Sequence, residues 1–352
     1  MAEDAPIRIG ILGIGRAGFG MHRKELVERT DLFTIAAACD EYEPWRERMT
    51  EELPECVVYS EMGELLGDES IELVSIATRS CDHFKHAMAA LDAGKHVLLE
   101  KPACATYEEA RRLFDHAEQT QANLWVRQNR RFDPDFLHVR EIIESGLLGE
   151  IQEIKLSRTS FSRRDDWQTI IEYGGGQLLN WGPHVIDHGL QLLGAPQQPL
   201  KDLWTDLRLV AAVGDAEDHL KIVMKGASSC LVDLEISGGA AIGMPPYLVW
   251  GTRGALKCDG KRITLRYLDP EKPLERRTAD EGVPGAGFGR AEELPWVEEE
   301  MDVAPANPID FWTQVYKAVR GVEPFPVKNE EVLETMRVIS QAKEGTPYEY
   351  RG

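Results

Sequence analysis

At the start of the chain Ile7, Ile9 and Ile11 alternate with smaller or polar neighbours, the period of a strand. A glycine-rich stretch follows, and Met21, Leu26 and Val27 then mark a helical segment. A β-prone run over residues 33–39 comes next and ends in Asp40. The same succession continues with a strand over 71–77, then a helix carrying Phe84, Ala87, Met88 and Leu91 that stops at Gly94. A strand follows over 96–100, and a helix starts at the capping-box pattern Thr106-Tyr107-Glu108-Glu109. Residues 124–126 close the set. Strands and helices that alternate from residue 7 to about 128 predict a parallel sheet with crossover helices.

Beyond this point the texture changes. After a helix over 134–144 come longer alternating segments at 151–159, 203–210, 220–224, 231–236, 247–250 and 263–268, which read as antiparallel strands. A helix over 177–193 interrupts them, and two more are expected at 308–319 and 330–343. Residues 269–302, rich in Pro, Gly and Glu without sustained period, read as a surface insertion. The fold class is therefore α/β, a parallel sheet followed by a domain with a large, mostly antiparallel sheet. A chain of 352 residues exceeds what one core usually organises.

Sixty acidic residues against 40 Lys and Arg give a net charge of −20, which repels polyanions and argues against nucleic acid or an anionic membrane as partner. The six cysteines show no C-x-x-C spacing, as expected of small core residues in a reducing compartment. No apolar stretch is long enough for a membrane span and no signal-like segment opens the chain, so the expectation is a cytoplasmic protein.

Gly13-Ile14-Gly15-Arg16-Ala17-Gly18, placed between a strand and a helix, is the geometry in which backbone N–H groups meet the pyrophosphate of a dinucleotide. Asp40 stands about 20 residues further on, where a carboxylate meets ribose hydroxyls. Asp40 and Glu41 would repel a 2′-phosphate, which favours NAD. Arg16 or Arg46 folding back toward the ribose keeps NADP open. In an open parallel sheet ligands bind beyond the carboxyl ends of the strands. Thr78-Arg79, Glu100-Lys101-Pro102 and Gln128-Asn129 fall there. An ammonium at Lys101 would lie near a nicotinamide, hydrogen-bond a substrate hydroxyl and stabilise a developing alkoxide. The bland alternative is an exposed lysine paired to Glu100. Pro102 allows a cis bond.

In the second half, Asn180, His184 and Asp187 are spaced to share one helix face, with Pro183 expected to kink the helix. An imidazole beside a carboxylate and an amide can accept a proton and orient a polyol; the alternative is a packing histidine satisfied by Asp187. His83 with His86, or His184 with His188, would pair at helical spacing. No third and fourth ligand accompanies them, so no metal site is expected.

With these residues the chain resembles the Gfo/Idh/MocA oxidoreductases, the group of glucose-fructose oxidoreductase and inositol dehydrogenase. The resemblance spans nearly the whole chain. It rests on the glycine turn, on His83 opening a helix that leads into AGKHVLLEKP (93–102), and on QNRRFDP (128–134). The Gly174-to-His184 segment and WGTRGAL (250–256) complete it. It implies a Rossmann domain over 1–128 and an α/β domain over 129–352 for substrate binding and oligomerisation, with a homodimer or homotetramer formed through its open sheet. It places the cofactor against residues 13–18, Asp40, Thr78, Arg79, His83, Glu100, Lys101 and Asn129, and puts Lys101 and His184 in the active site. Asn180 replaces an aspartate of inositol dehydrogenases and serves only as an orienting group, and Arg79 replaces a common proline.

The resulting expectation is an NAD-dependent dehydrogenase of a sugar, cyclic polyol or related carbohydrate. His184 acts as base, oriented through Asp187 with its pKa near or somewhat above 6.5. Lys101 polarises the reacting oxygen and Asn180 fixes the substrate. Arg164, Trp167 and Tyr173 supply specificity, unless their segment is an ordinary charged loop. The rival readings are a redox-neutral enzyme that retains NAD while cleaving or epimerising a glycoside, and a non-catalytic sugar-sensing protein.

Overall fold

The computed structural model describes residues 5–198, 200–279, 282 and 292–350. Strands β1 (Ile7–Leu12), β2 (Phe33–Cys39), β3 (Val57–Tyr59), β4 (Leu73–Ile76), β5 (His96–Leu99) and β6 (Leu124–Val126) form one sheet in the order β3-β2-β1-β4-β5-β6. All its pairings are parallel. Ile7, Ile9 and Ile11 are fully buried within it, as both-face coverage by helices requires. The crossovers are a π-helical turn Gly18–Arg23 running into α1 (Lys24–Leu26), then α2 (Glu43–Glu52), α3 (Met62–Gly67), α4 (His83–Asp92) and α5 (Tyr107–Ala117). The Thr106 hydroxyl accepts the Glu109 N–H, as the capping pattern foretells. The strand order reverses between β1 and β4, so the carboxyl ends of these two strands open the ligand crevice.

After α6 (Pro134–Glu144) the chain builds an eight-stranded sheet from β7 (Ile151–Thr159), β8 (Asp202–Arg208), β9 (His219–Lys225), β10 (Leu231–Ser237), β11 (Tyr247–Gly251), β12 (Gly254–Cys258), β13 (Arg262–Leu268) and β14 (Trp296–Asp302), in the order β14-β13-β12-β11-β7-β10-β9-β8. Every pairing is antiparallel except β7 with β10. One face is covered by α7 (Gln177–Asn180) and α8 (Gly182–Leu193). Helix α9 (Phe311–Val319) then returns to the first sheet, and α10 (Asn329–Lys343) packs against both α5 and α8, bridging the two lobes. Trp312 of α9 packs edge-on to Phe33, and Arg320 pairs with Glu72 at 2.7 Å.

Strand β14 corrects the reading of residues 269–302 as an insertion; of that span, residues 280, 281 and 283–291 lie outside the described residues. Among the described residues its acidic side chains find their partners across the sheet. Arg266 meets Glu298 at 3.1 Å, Arg262 meets Glu300 at 3.4 Å, and the Tyr267 hydroxyl donates to Glu299 at 2.7 Å. An edge strand rich in carboxylates resists further pairing, and no one-dimensional period reveals it. The helix expected over 177–193 is two helices broken at Trp181. Pro183 lies in the first turn of α8, where its missing N–H costs nothing.

Candidate active site

The glycine turn after β1 is shaped by two glycines and left open by a third. Gly13 has φ +85°, and a Cβ on Gly18 would stand 1.9 Å from the Gly13 carbonyl oxygen. Gly15 is different: nothing lies within 4 Å of where its Cβ would be. The fold itself has no need of a glycine there, whereas a phosphate approaching the backbone does. Ile14 N–H and Tyr42 N–H both donate to the Asp40 carboxylate, at 2.8 and 2.9 Å, which fixes that acid beside the turn. The Arg46 guanidinium folds back onto the carbonyls of Asp40 and Glu41 at 2.9 and 2.7 Å. These residues fit a dinucleotide. Arg16 is exposed on the same turn, and its charge is felt at Lys101.

Lys101 is aimed from beneath by a buried polar network. Glu100, expected against the cofactor, is instead buried and spends both oxygens inside the protein. Oε1 accepts from His22 at 2.9 Å and from Arg127 at 3.1 Å, and Oε2 accepts the Lys101 N–H at 3.0 Å. Against the burial that would raise it, the His22 bond and the Arg127 charge hold the Glu100 carboxyl well below its ordinary range. Arg127 also reaches Glu25 at 2.6 Å, which accepts the Trp312 indole N–H at 2.6 Å. His83 likewise turns out to be internal. Its ring nitrogens face the carbonyls of Pro102 and Thr78 at 2.7 and 3.3 Å, so it ties the ends of two strands together rather than facing a ligand. The Lys101–Pro102 bond is cis.

The second lobe supplies the facing wall. Gly176, at φ +106°, has no room for a Cβ because the Glu217 carboxylate stands 2.3 Å from it. Glu217 in turn accepts the Leu178 N–H at 3.0 Å, so the glycine run exists to bring a buried acid onto the start of α7. One turn later the Asn180 carbonyl accepts the Lys101 ammonium at 3.1 Å. That contact joins the lobes, and it runs through the backbone rather than through the Asn180 amide.

His184 follows in the first turn of α8, buried, with Nδ1 lacking a hydrogen-bond partner among the described residues. Burial first, then the charges of Lys101 and Arg130, hold its pKa well below 6.5. The neutral imidazole is thereby favoured, the reverse of the raised value expected from a carboxylate neighbour. Asp187 is not that neighbour: both its oxygens are taken by Arg131, at 2.6 and 2.7 Å. Arg131 also holds Glu331 of α10 at 2.6 Å. A guanidinium matches a carboxylate edge to edge, and this planar fit outcompetes an i,i+3 contact on the same helix. Asp187 therefore anchors α8 and does not orient His184.

His184 lines a cleft together with Arg130, Ser157, Arg158, Trp181 and Tyr247. The guanidinium carbons of Arg130 and Arg158 lie 4.6 and 4.5 Å from the Trp181 ring centre. His188 braces this wall from behind. Its Nε2 is 3.0 Å from the Arg130 carbonyl and its Nδ1 is 3.3 Å from the Tyr247 hydroxyl. The hydroxyl donates to Nδ1 and the ring N–H donates to the carbonyl. Burial, first among its causes, pushes the His188 pKa down to about 3, so that pattern persists at neutral pH.

Of the other expected residues, Arg79 stacks on Tyr173 at 4.7 Å, joining the end of β4 to the second lobe. Thr78 packs against the glycine turn, and its hydroxyl meets His86 at 3.0 Å. Asn129 opens a 3₁₀ turn, half-buried beside Arg130. The Arg164 guanidinium is spent within its own loop on Asp166 and Gln168, at 2.6 and 2.5 Å. Trp167 is half-buried in the short 3₁₀ helix that Asp166 caps. Neither Arg164, Trp167 nor Tyr173 is among the residues lining the His184 cleft. Arg130, Arg158, Trp181 and Tyr247 carry no individual signal in the sequence; Arg130 lies within QNRRFDP and Trp181 within the Gly174-to-His184 segment, whereas Arg158 and Tyr247 fall in strands outside any motif. Among the described residues no cluster of three or more His, Cys, Asp or Glu could hold a metal ion, and no helix is long and apolar enough to cross a membrane.

A parallel sheet of order 3-2-1-4-5-6 with an open glycine turn, an acid after β2 and a lysine facing a second α/β lobe defines a dinucleotide-dependent oxidoreductase. Comparison with known proteins agrees. Residues 7–128 match the oxidoreductase family with NAD-binding Rossmann fold, and residues 136–257 match the GFO/IDH/MocA C-terminal domain. The chain belongs to the Gfo/Idh/MocA family. It is 34% identical over 274 residues to an uncharacterized oxidoreductase of Schizosaccharomyces pombe, covering 71% of this chain and 70% of that one. It is 27% identical over 350 residues to the NADP(+)-dependent scyllo-inositol 2-dehydrogenase of Bacillus subtilis, covering 97% and 94%. The fold is shared with an NAD-binding protein from Listeria innocua, with TM-score 0.81 and 24% identity over 96% and 95% of the two chains.

Proposed function

We propose that the protein is an NAD(P)-dependent dehydrogenase that oxidises a secondary hydroxyl of a sugar, cyclic polyol or sugar derivative, or runs the reverse reduction. The observation that carries this reading is the meeting of Lys101 with the start of the helix pair that bears His184. The ammonium sits 3.1 Å from the Asn180 carbonyl, and its charge reaches the His184 ring. When bound, the nicotinamide supplies the acceptor for the hydride.

His184, held neutral by burial and by Lys101 and Arg130, takes the hydroxyl proton as the C–H hydride departs and the C=O bond forms. Lys101 donates a hydrogen bond to the same oxygen and offsets its developing negative charge. Burial, opposed by Glu100, together with the charges of Arg16, Arg130 and Arg127 lowers the Lys101 pKa. Proton sharing with the alkoxide is easier for it than for an exposed lysine. Asn180 fixes the position of Lys101 through its carbonyl. The domain division at 128/129, and a homodimer or homotetramer through the eight-stranded sheet, belong to the same proposal.

The test is a screen of aldoses, inositols and glycosides with NAD and NADP, read by absorbance of the reduced cofactor. On the substrate so found, His184→Ala should lower kcat by about 10²- to 10⁴-fold and leave quenching of protein fluorescence by NADH unchanged. Full turnover in that variant would remove His184 from the reaction. Product without stoichiometric reduced cofactor would point instead to the redox-neutral reading.

A further inference from the structure

Strand β7 runs beneath α8, and its residues alternate between faces. Ile154 and Leu156, each 1% exposed, turn toward the helices. Two residues on, the same face is continued by Arg158, half-buried where the strand reaches the His184 cleft. An arginine therefore stands where the two preceding positions of this face carry aliphatic side chains, and its half-buried guanidinium remains open to the cleft. The chain has 60 acidic residues to 40 basic ones, yet Arg158 forms no ion pair among the described residues. Of the nearby acids, Asp133 is bound to Arg130 at 2.6 Å, while Asp135 accepts the Phe136 N–H at 2.9 Å and feels the Arg158 charge without forming an ion pair with it. What Arg158 does contact is the Trp181 ring, 4.5 Å from its guanidinium carbon. Contact through the ring face leaves the N–H edge of the fork for a planar, bidentate acceptor.

We infer that Arg158, assisted by Arg130, forms a carboxylate subsite beside His184, so that the substrate is a sugar acid such as an aldonate or a uronate. The inference rests on the dehydrogenase reading, which makes this cleft the substrate site. A planar carboxylate matches the guanidinium edge with two parallel hydrogen bonds. Asp133 and Asp135 close by make the cleft less hospitable to a phosphate dianion than to a monoanion. Arg130, with part of its fork committed to Asp133, supplies charge, and Arg158 supplies the grip.

The experiment measures binding of D-glucuronate, D-gluconate, D-glucose and glucose phosphate to the NADH-saturated full-length protein by calorimetry, and nicotinamide reduction by the same sugars. Wild-type protein should bind an acid at least 10-fold more tightly than glucose. Arg158→Gln should weaken acid binding on the order of 10- to 100-fold, more than it weakens glucose binding, while leaving NADH affinity unchanged. Arg158→Lys, which keeps the charge without the fork, should fall between and also guards against misfolding of the first variant. Acids that bind no better than glucose, or a preference that survives Arg158→Gln, overturn the inference. So does dependence on Arg158 confined to the phosphate ester. Arg158-dependent acid binding with no reduction by any sugar keeps the subsite and removes the dehydrogenase reading; reduction by neutral sugars alone does the opposite.

Discussion

Asp187→Asn separates two roles for the same carboxylate. In a proton relay it would orient His184, and its loss would appear in kcat. In the structure it is clamped by Arg131, with side chains only 2% and 6% exposed, and its loss should appear in stability. The substitution keeps the volume but removes the charge and turns an N–H₂ group against the guanidinium. Breaking a buried pair by removing one partner costs about 3–5 kcal/mol. Arg131 retains Glu331 at 2.6 Å, which places the loss near the lower end, about 3 kcal/mol. With an unfolding entropy of about 2.1 cal/mol/K per residue, roughly 0.7 kcal/mol/K for the chain, the melting temperature should fall by about 4 °C. Differential scanning calorimetry reads that shift. Steady-state kinetics well below the transition should give kcat within about twofold of wild type, since no reacting group has lost a contact. An unchanged melting temperature with a hundredfold loss of kcat would refute the assignment and restore the relay.

Two glycines of one turn should respond in opposite ways. Gly18→Ala forces a methyl to 1.9 Å from the Gly13 carbonyl and should lower the melting temperature, whereas Gly15→Ala meets nothing within 4 Å. The latter should fold with unchanged stability and bind NADH at least about 10-fold more weakly by fluorescence titration; full affinity would show that the cofactor does not approach there. Acid should destabilise the protein early. Burial lowers the pKa values of His22, His83, His184 and His188, so below about pH 6.5 the unfolded chain binds more protons than the folded one. Stability present above that pH is lost as pH falls, by up to about 1.4 kcal/mol per pH unit for each histidine, with the raised carboxyls of Asp135, Asp187 and Glu217 working the other way. A melting temperature that stays flat from about pH 7.5 to 5.5 would contradict neutral burial of these rings.

What the sequence determined was local. Period-two and helical spacing marked the six-stranded alternation apart from short β3 and helices α2 and α3, because a strand buried on both faces needs an apolar run and a packed crossover helix an apolar stripe, whereas α2 buries only Met49. Glycines at 13 and 18 were legible because only that residue fits the turn, and Lys101 and His184 because their motifs are short and contiguous. Strand β14 was hidden, since its glutamates are stabilised by arginines on a neighbouring strand that spacing along the chain does not reveal. The roles of Glu100, His83 and Asp187 were decided by tertiary contacts. Each was placed near the site by its position, and each was claimed by partners distant in sequence: His22 and Arg127, the Pro102 carbonyl, and Arg131 with Glu331. Arg158 shows the same limit from the other side. On a strand it is one more charged residue; only the fold sets it beside His184, against the Trp181 ring and without an ion pair among the described residues. Hydrogen bonds and ion pairs of buried groups are won by geometry in three dimensions, and a linear pattern carries only the candidates.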